Sequence, residues 1–265
     1  MRKKLLLVFC LALCSISGYS QIGFGLRGGF GASNTSQELV SGLTRTIGTS
    51  PTYGFMANYD LDLHFSAGFE VNYTKFSESL TYSAAFAPPS RISDKSDSTA
   101  VKSTTSINYL QIPFYGRITF GEKKYKAFVS FAPFLGIALS GKWENGGRPE
   151  GDGSLIRLDA TYTAQFKEGD FKKIDIGGQV GFGGQYQLGK NGVLFAEARL
   201  QIGFLDFWND LTPLQTKGYT SVVNKYLKPG GTSWRAINIS VGYYHTFKIP
   251  KKTASAAVKK AGKQR

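Results

Sequence analysis

The sequence predicts an all-β fold, a transmembrane up-and-down antiparallel β-barrel of eight strands, from three observations. Eight segments alternate apolar and polar residues with a period of two. The connections between these segments are short and long in strict alternation. The amino terminus has the pattern of an export signal, and no later apolar run is long enough for a transmembrane helix.

The amino terminus is predicted to be a cleaved signal peptide that covers residues 1–20. A basic start is followed by the apolar run Leu5–Leu13, which is too short to span a bilayer. Gly18 and Ser20 occupy the two positions that a signal peptidase inspects, so cleavage is expected before Gln21. Both cysteines of the chain lie in this segment, and the mature chain is therefore expected to lack disulfides, cysteine metal sites and cysteine nucleophiles.

The formal net charge of +14 is concentrated at the two ends of the chain. The signal segment carries three of these positive charges and the stretch from Lys248 onward carries seven, which leaves +4 for the rest. We therefore expect a barrel over 21–248, a disordered basic tail over 249–265, and no nucleic-acid partner. The tail is expected to bind an acidic periplasmic partner or anionic lipid headgroups.

Each predicted strand carries apolar residues on one face and polar or small residues on the other. The eight strands are expected at Ile22–Ser33, Tyr53–Leu61, His64–Lys75, Ile107–Phe120, Tyr125–Ser140, Ile174–Leu188, Leu194–Leu205 and Trp234–Phe247. In the first, Phe24 and Leu26 share a face opposite Arg27, and in the last, Ile237 and Ile239 oppose Asn238.

The lengths of the connections indicate how the barrel lies in the membrane. Short turns follow the second, fourth and sixth predicted strands, at 60–62, 121–124 and 189–192. The other connections are long and rich in Ser, Thr, Gly, Asp and Pro. Short periplasmic turns and long external loops are typical of outer-membrane barrels. The expected location is the bacterial outer membrane, surrounded by its lipid, with the long loops outside and the carboxyl-terminal tail in the periplasm.

The polar face of the strands is expected to line the barrel interior. A charged side chain that faces the bilayer centre costs about 2–4 kcal/mol. Three acids and three arginines are therefore predicted to form a nearly neutral hydrogen-bonded network in a filled lumen. The predicted lumen residues are Arg27, Glu70, Gln111, Arg117, Asp175, Gln179, Glu197, Arg199 and Gln201.

Aromatic residues near the strand ends predict two belts at the membrane interfaces. The belt at the short-turn rim would contain Tyr59, Phe65, Phe120, Tyr125, Tyr186, Tyr243 and Phe247. The belt at the opposite rim would contain Tyr73, Tyr109, Trp143, Phe204, Trp208 and Trp234.

Four of the predicted strands also resemble a known family. The segments YLQIPFYGRI at 109–118, DIGGQVGFGGQY at 175–186, EARLQIGFLD at 197–206 and NISVGYYHTF at 238–247 resemble strands of PorT-like outer-membrane barrels from Bacteroidetes-type bacteria. This resemblance implies an outer-membrane barrel and a role in type IX protein secretion. It also implies that the last strand, with Gly242, Tyr243 and Phe247, carries the signal that barrel-assembly machinery binds.

No catalytic, cofactor or metal site is expected. The G-x-G-x-x-G pattern at Gly23, Gly25 and Gly28 lacks the preceding strand and following helix of a dinucleotide site. The two histidines, His64 and His245, both fall at the short-turn rim, without neighbours at metal-ligand spacing. The predicted function is a non-enzymatic envelope or adaptor protein. The alternatives are a narrow channel or conduit for small or apolar molecules, and an enzyme with a loop-borne site.

Overall fold

The computed structural model describes residues 21–36, 43–83, 100–121, 124–146, 160–163, 166, 171–207 and 232–248. These residues form ten β-strands: β1 (Gln21–Thr35), β2 (Leu43–Thr49), β3 (Thr52–Asp60), β4 (Phe65–Ser83), β5 (Ala100–Phe120), β6 (Tyr125–Gly146), β7 (Ala160–Thr163), β8 (Ile174–Leu188), β9 (Gly192–Gly203) and β10 (Trp234–Lys248). No helix in these ranges has the length and apolarity needed to cross a membrane. The predicted signal peptide and basic tail lie outside the described residues.

The sheet closes on itself through its first and last strands. β1 and β10 are antiparallel from Gln21 opposite Lys248 to Thr35 opposite Trp234. β2 and β3 both lie between β1 and β4, while β7 and β8 both pair with β6. The ten described strands therefore occupy eight positions around a closed antiparallel ring, which confirms the predicted eight-stranded barrel.

β2 and β3 are two parts of one barrel strand, interrupted at Ser50 and Pro51. Proline has no N–H to donate to a sheet ladder. Backbone bonds nevertheless continue across the break, because the Ser50 N–H donates to the Gly31 carbonyl at 2.8 Å and the Lys75 N–H donates to the Pro51 carbonyl at 3.1 Å. The prediction that this region is a loop is therefore wrong for Leu43–Thr49.

Three strands are longer than the sequence pattern predicts. β4, β5 and β6 contain 19, 21 and 22 residues, roughly twice the 9–11 residues that cross a bilayer. The outer face of their extra length is polar, as where the hydroxyls of Ser79 and Thr104 hydrogen-bond at 2.8 Å, while Phe76, Leu80 and Trp143 are buried on the inner face. Beyond the bilayer the outer face no longer meets lipid, so the apolar alternation that predicted the strands stops before the strands do.

The short connections all lie at one end of the barrel, which we call the turn end; the other is the loop end. They join β3 to β4, β5 to β6 and β8 to β9. Gly121 and Gly189 adopt φ angles of 107° and 62°, which glycine tolerates without strain. In the first turn, Asp62 Oδ1 accepts the backbone N–H groups of His64 at 2.6 Å and Phe65 at 2.8 Å. These bonds stabilise the charged carboxylate and lower the pKa of Asp62.

The outer wall is apolar and the lumen is polar in its middle. Phe24, Phe182 and Ile239 are 58%, 66% and 67% exposed, as the alternation predicts for a lipid-facing wall. On β6 the alternation changes phase, because Leu139 and Ser140 are both exposed where the ladder to β5 shifts register. Such a β-bulge reverses the faces of the residues that follow it.

The predicted aromatic belt at the loop end is wrong for three residues. Tyr109, Trp143 and Trp234 are 1%, 0% and 2% exposed, so they point into the lumen. Tyr109 and Trp234 have the inward parity of their own strands, and Trp143 is turned inward by the bulge. Tyr73 and Phe204 do face outward, and Trp208 lies outside the described residues. The seven residues of the belt at the turn end are exposed or half-buried on the outer face.

Candidate functional site in the barrel lumen

Four buried charges meet at the centre of the lumen, and we call them the charge cluster: Arg27, Glu70, Glu197 and Arg199. They come from β1, β4 and β9, and each is at most 5% exposed. Both carboxylate oxygens of Glu70 accept hydrogen bonds from two guanidinium groups. Arg27 Nη1 lies 2.8 Å from each carboxylate oxygen, and the Arg199 Nη atoms lie 2.9 and 3.0 Å from them.

Glu197 completes the charge cluster. Its Oε2 accepts Arg199 Nη2 at 2.7 Å and lies 3.4 Å from Arg27 Nη1, while its Oε1 accepts the Ser130 hydroxyl at 2.6 Å. Two cations and two anions therefore neutralise one another. A buried charge without such a partner would cost several kcal/mol. The charge cluster thus connects strands from opposite sides of the barrel across its interior.

Neutral polar side chains form hydrogen bonds with the charge cluster. Asn72 donates to Glu70 at 2.8 Å, and Arg27 Nη2 donates to the Ser240 hydroxyl. Gln179 accepts Arg199 Nη1 at 2.9 Å and donates to Gln201 at 3.2 Å. The predicted lumen residues did not include Ser130, Asn72 or Ser240, although all three have the inward parity of their strands.

Three predicted lumen residues are buried but form no hydrogen bond or ion pair with the charge cluster in the described residues, so the prediction of one network of three acids and three arginines is wrong. Asp175 is 4% exposed, accepts the backbone N–H groups of Ile176 and Leu205, and forms no ion pair within the described residues. Gln111 is 1% exposed, and its Nε2 has no hydrogen-bond partner in the described ranges. The alternation along a strand predicts whether a side chain faces the lumen or the lipid, but it does not predict how deep in the lumen the side chain lies.

Arg117, the third of these residues, has an aromatic environment. Its guanidinium carbon lies 4.2 Å from the centre of the Phe128 ring, 5.2 Å from Tyr115 and 5.6 Å from Phe195. Arg117 is only 2% exposed. All three guanidinium nitrogens are buried, and the Tyr244 side chain lies beside them.

Apolar side chains pack above and below the charge cluster. The loop-side aromatic layer consists of Phe76, Ile107, Tyr109, Ala138, Trp143, Phe171, Phe207, Trp234 and Ala236. The turn-side aromatic layer consists of Met56, Tyr115, Phe128, Ala132, Val193, Phe195 and Tyr244. In the loop-side layer the Trp234 ring stacks on Phe76 and Phe207, with centroids 5.6 and 5.0 Å apart. The described strands thus fill the lumen in three layers.

A cavity of about 240 Å³, which we call the mouth cavity, opens at the turn end. It is lined by Gln21, Asp60, Asp62, Leu63, His64, Phe65, Ser66, Thr119, Lys126, Gln185, Gln187, Gly189, Lys190, Val193, Tyr244 and Thr246. It lies below the turn-side aromatic layer, with which it shares Val193 and Tyr244. Its lining combines residues of two short turns with residues at the ends of the adjoining strands.

Both histidines lie at the turn end of the barrel, as predicted. His245 lies on the outer face, where its Nδ1 is 3.2 Å from the Tyr243 hydroxyl and its ring is 4.9 Å from Phe247. His64 lies in the turn capped by Asp62. In the described part of the chain, no three His, Cys, Asp or Glu side chains are grouped to hold a metal ion.

The residues of the predicted assembly signal lie on β10. Tyr243 and Phe247 are 42% and 53% exposed on the outer face. Gly242 lies against the ring of Phe195, where a Cβ atom would come within 2.4 Å of Cζ. A larger residue at Gly242 would therefore displace the Phe195 ring or the backbone, and the role of these residues in assembly stays a prediction.

A family model described as outer membrane protein beta-barrel domain matches residues 17–209. The chain belongs to this family. It is therefore an outer-membrane β-barrel of bacteria, as predicted, and its lipid-facing wall and closed ring agree with that assignment. No curated protein sequence matches the chain.

Solved barrels resemble the structure only distantly. Neisserial surface protein A has 13% identity and a TM-score of 0.38, over 86% of this chain and 97% of that one. The outer membrane protein OprG from Pseudomonas aeruginosa has 7% identity and a TM-score of 0.40, over 88% and 97%. The outer membrane protease OmpT from Escherichia coli has 9% identity and a TM-score of 0.36, over 88% and 100%. At these values no ligand or activity is transferred.

Proposed function

We propose that this barrel is a non-enzymatic component of the outer membrane that acts as an adaptor through its two ends. The observation that supports this proposal is the filled lumen. The charge cluster crosses the interior, and an aromatic layer packs on each side of it. Since the interior is occupied by the protein's own side chains, the surfaces left for partners are the loop end and the turn end.

Type IX protein secretion is the specific form of this proposal. It is supported by the resemblance of the segments at 109–118, 175–186, 197–206 and 238–247 to PorT-like barrels. The test is a deletion strain of the source bacterium, in which the secreted surface enzymes are measured by activity and by mass spectrometry of the culture medium. Loss of secretion that the intact gene restores is the expected result. Normal secretion in the deletion strain would refute this form of the proposal.

The basic tail is proposed to bind an acidic periplasmic protein or anionic headgroups. Its charge supports the proposal, since the stretch from Lys248 to the end has seven cations and no acid. Affinity purification of the full chain and of a chain ending at Pro250 compares the partners directly. We expect an acidic envelope protein or anionic lipid that only the full chain retains at low salt. Identical partners from both chains would refute the role of the tail.

A narrow conduit is the competing function, suggested by the glycine and other small residues of β1, β6 and β8. Planar-bilayer recording separates the two. We expect no unitary conductance from the refolded wild type, because the three layers leave no continuous aqueous path through the described strands. Reproducible conductance steps from the wild type would favour the conduit and refute the filled-lumen adaptor.

A further inference from the structure

A groove of about 780 Å³ lies on the outer wall near the turn end, and we call it the wall groove. It crosses four neighbouring strands, β6, β8, β9 and β10. Its floor follows one rung of the sheet, in which Ala127 pairs with Gly184, Gly184 with Ala196 and Ala196 with Val241. All four residues are exposed on the outer face. The wall groove is therefore a depression in the surface that faces lipid, on the opposite side of the sheet from the lumen.

Larger side chains border the floor on both sides. On the turn side, the next rung carries four residues that also line the wall groove, Tyr125, Tyr186, Leu194 and Tyr243. On the other side, the outward rung carries Val129, Phe182 and Ile239 beside Ala198. Successive outward rungs are two residues apart, so the two bordering rungs are separated by about 14 Å along the strands. A hydrocarbon chain on the floor would contact the protein beneath it and on both sides.

The tyrosines place the turn side of the wall groove at the level of the lipid headgroups. Tyr125, Tyr186 and Tyr243 belong to the aromatic belt at the turn end, and the rings of such belts lie at the membrane–water interface. The Tyr243 hydroxyl lies 3.2 Å from Nδ1 of His245, so polar atoms gather on this side. The floor, in contrast, has no polar side-chain atom. The wall groove therefore changes from polar to apolar in the same order as a membrane lipid.

We propose that the wall groove holds one acyl chain of a phospholipid from the leaflet at the turn end, with the headgroup beside the tyrosines. Hydrocarbon surrounds the whole wall, so the preference for the wall groove comes from van der Waals contact and not from burial away from water. A chain on a flat part of the wall contacts protein on one side only, whereas a chain in the wall groove contacts the floor and both borders.

A second copy of the barrel fits the wall groove less well than a lipid chain does. Its wall is convex and carries bulky side chains such as Phe24 and Phe55, which would rest on the bordering rungs before they reached the floor. The wall groove is also continuous with the rest of the lipid-facing surface. The proposal does not rest on the adaptor function, because the wall groove belongs to the barrel wall and not to either end.

Photo-cross-linking tests the site on the full-length chain in phosphatidylcholine nanodiscs. The probe is a phosphatidylethanolamine with a diazirine in the middle of one acyl chain, and peptide mass spectrometry locates the cross-links. We expect peptides with Gly184 and Ala196 to be labelled about threefold above the wall around Gly116 on β5. Gly184→Leu fills the wall groove and should abolish this excess, whereas the matched control Gly116→Leu should leave it unchanged. An added Cβ would meet only the Lys126 carbonyl oxygen at 3.8 Å at Gly184 and nothing within 4 Å at Gly116, so both leucines fit the folded barrel.

Three results would overturn the proposal. One is even labelling along the outer wall of the wild type, and another is an excess that Gly184→Leu reduces no more than Gly116→Leu does. The third is a disulfide-linked dimer formed readily by Ala196→Cys in the mature chain, which would assign the wall groove to a second copy; we expect this variant to stay monomeric. If Gly184→Leu does not fold, Ala196→Leu fills the same floor, and labelling equal to that of the wild type would refute the lipid site.

Discussion

The charge cluster makes a strong prediction about barrel stability, tested by the substitution Glu70→Gln. The carboxylate of Glu70 accepts from two arginines at 2.8–3.0 Å and from Asn72 at 2.8 Å, and the residue is 0% exposed. Glutamine keeps the shape but has no charge and only one acceptor oxygen. Two buried guanidinium groups would then share a single anion, Glu197. Removing one partner from such a buried arrangement costs about 3–5 kcal/mol of the free energy of unfolding.

The assay is denaturant unfolding of the refolded barrel in lipid vesicles, followed by tryptophan fluorescence. Trp143 and Trp234 are buried in the loop-side aromatic layer and should report the loss of the folded barrel. Glu144→Gln is the matched control, because Glu144 pairs with Lys142 where both side chains are nearly half exposed, and such pairs contribute at most about 1 kcal/mol. A double variant that adds Arg27→Met to Glu70→Gln removes the excess cation and should recover part of the loss.

The prediction fails if Glu70→Gln lowers the free energy of unfolding no more than Glu144→Gln does. It also fails if the double variant loses the sum of the two single losses, because the two residues would then not interact. Either result would mean that water, and not the protein, balances these charges.

The remaining predictions concern the lumen packing and the outer wall. At Gly181 a Cβ atom would lie 2.1 Å from Glu197 Oε1 and 2.5 Å from Ser130 Oγ, so Gly181→Ala should cost about 1–3 kcal/mol of unfolding free energy, while Gly28→Ala, with nothing within 4 Å, should be nearly neutral. Equal losses in the same vesicle assay would contradict this reading of the packing. Phe182→Arg, at a mid-strand position 66% exposed to lipid, should cost about 2–4 kcal/mol, and Tyr125→Arg, at the strand end, about 0–1 kcal/mol. If both arginines cost the same, the outer wall does not span the bilayer as assigned.

The sequence was sufficient for the barrel and for the face of most strand residues. Lipid on one side and a filled lumen on the other impose opposite requirements on alternate residues, and that contrast is visible locally, as for Arg27 between Leu26 and the glycines that follow it. Residues of the predicted lumen set, such as Glu70 and Arg199, are accordingly buried. Where the outer face is polar as well, in the extensions of β4 and β5 and in most of β2, the strands were not predicted.

Only the tertiary structure decided which lumen residues meet. Arg27 and Glu70 are 43 positions apart, and Arg199 and Glu70 are 129 apart, so their pairing depends on closure of the ring and on strand register. The inward turn of Trp143 depends on a bulge with no signal in the alternation. The alternation placed Arg117 on the inner face, but its position among the rings of Tyr115, Phe128 and Phe195 depends on depth along the barrel. The alternation along a strand specifies only the face on which each residue lies. The depth of a side chain in the lumen, and the side chains that it meets there, are set by the shear of the closed barrel.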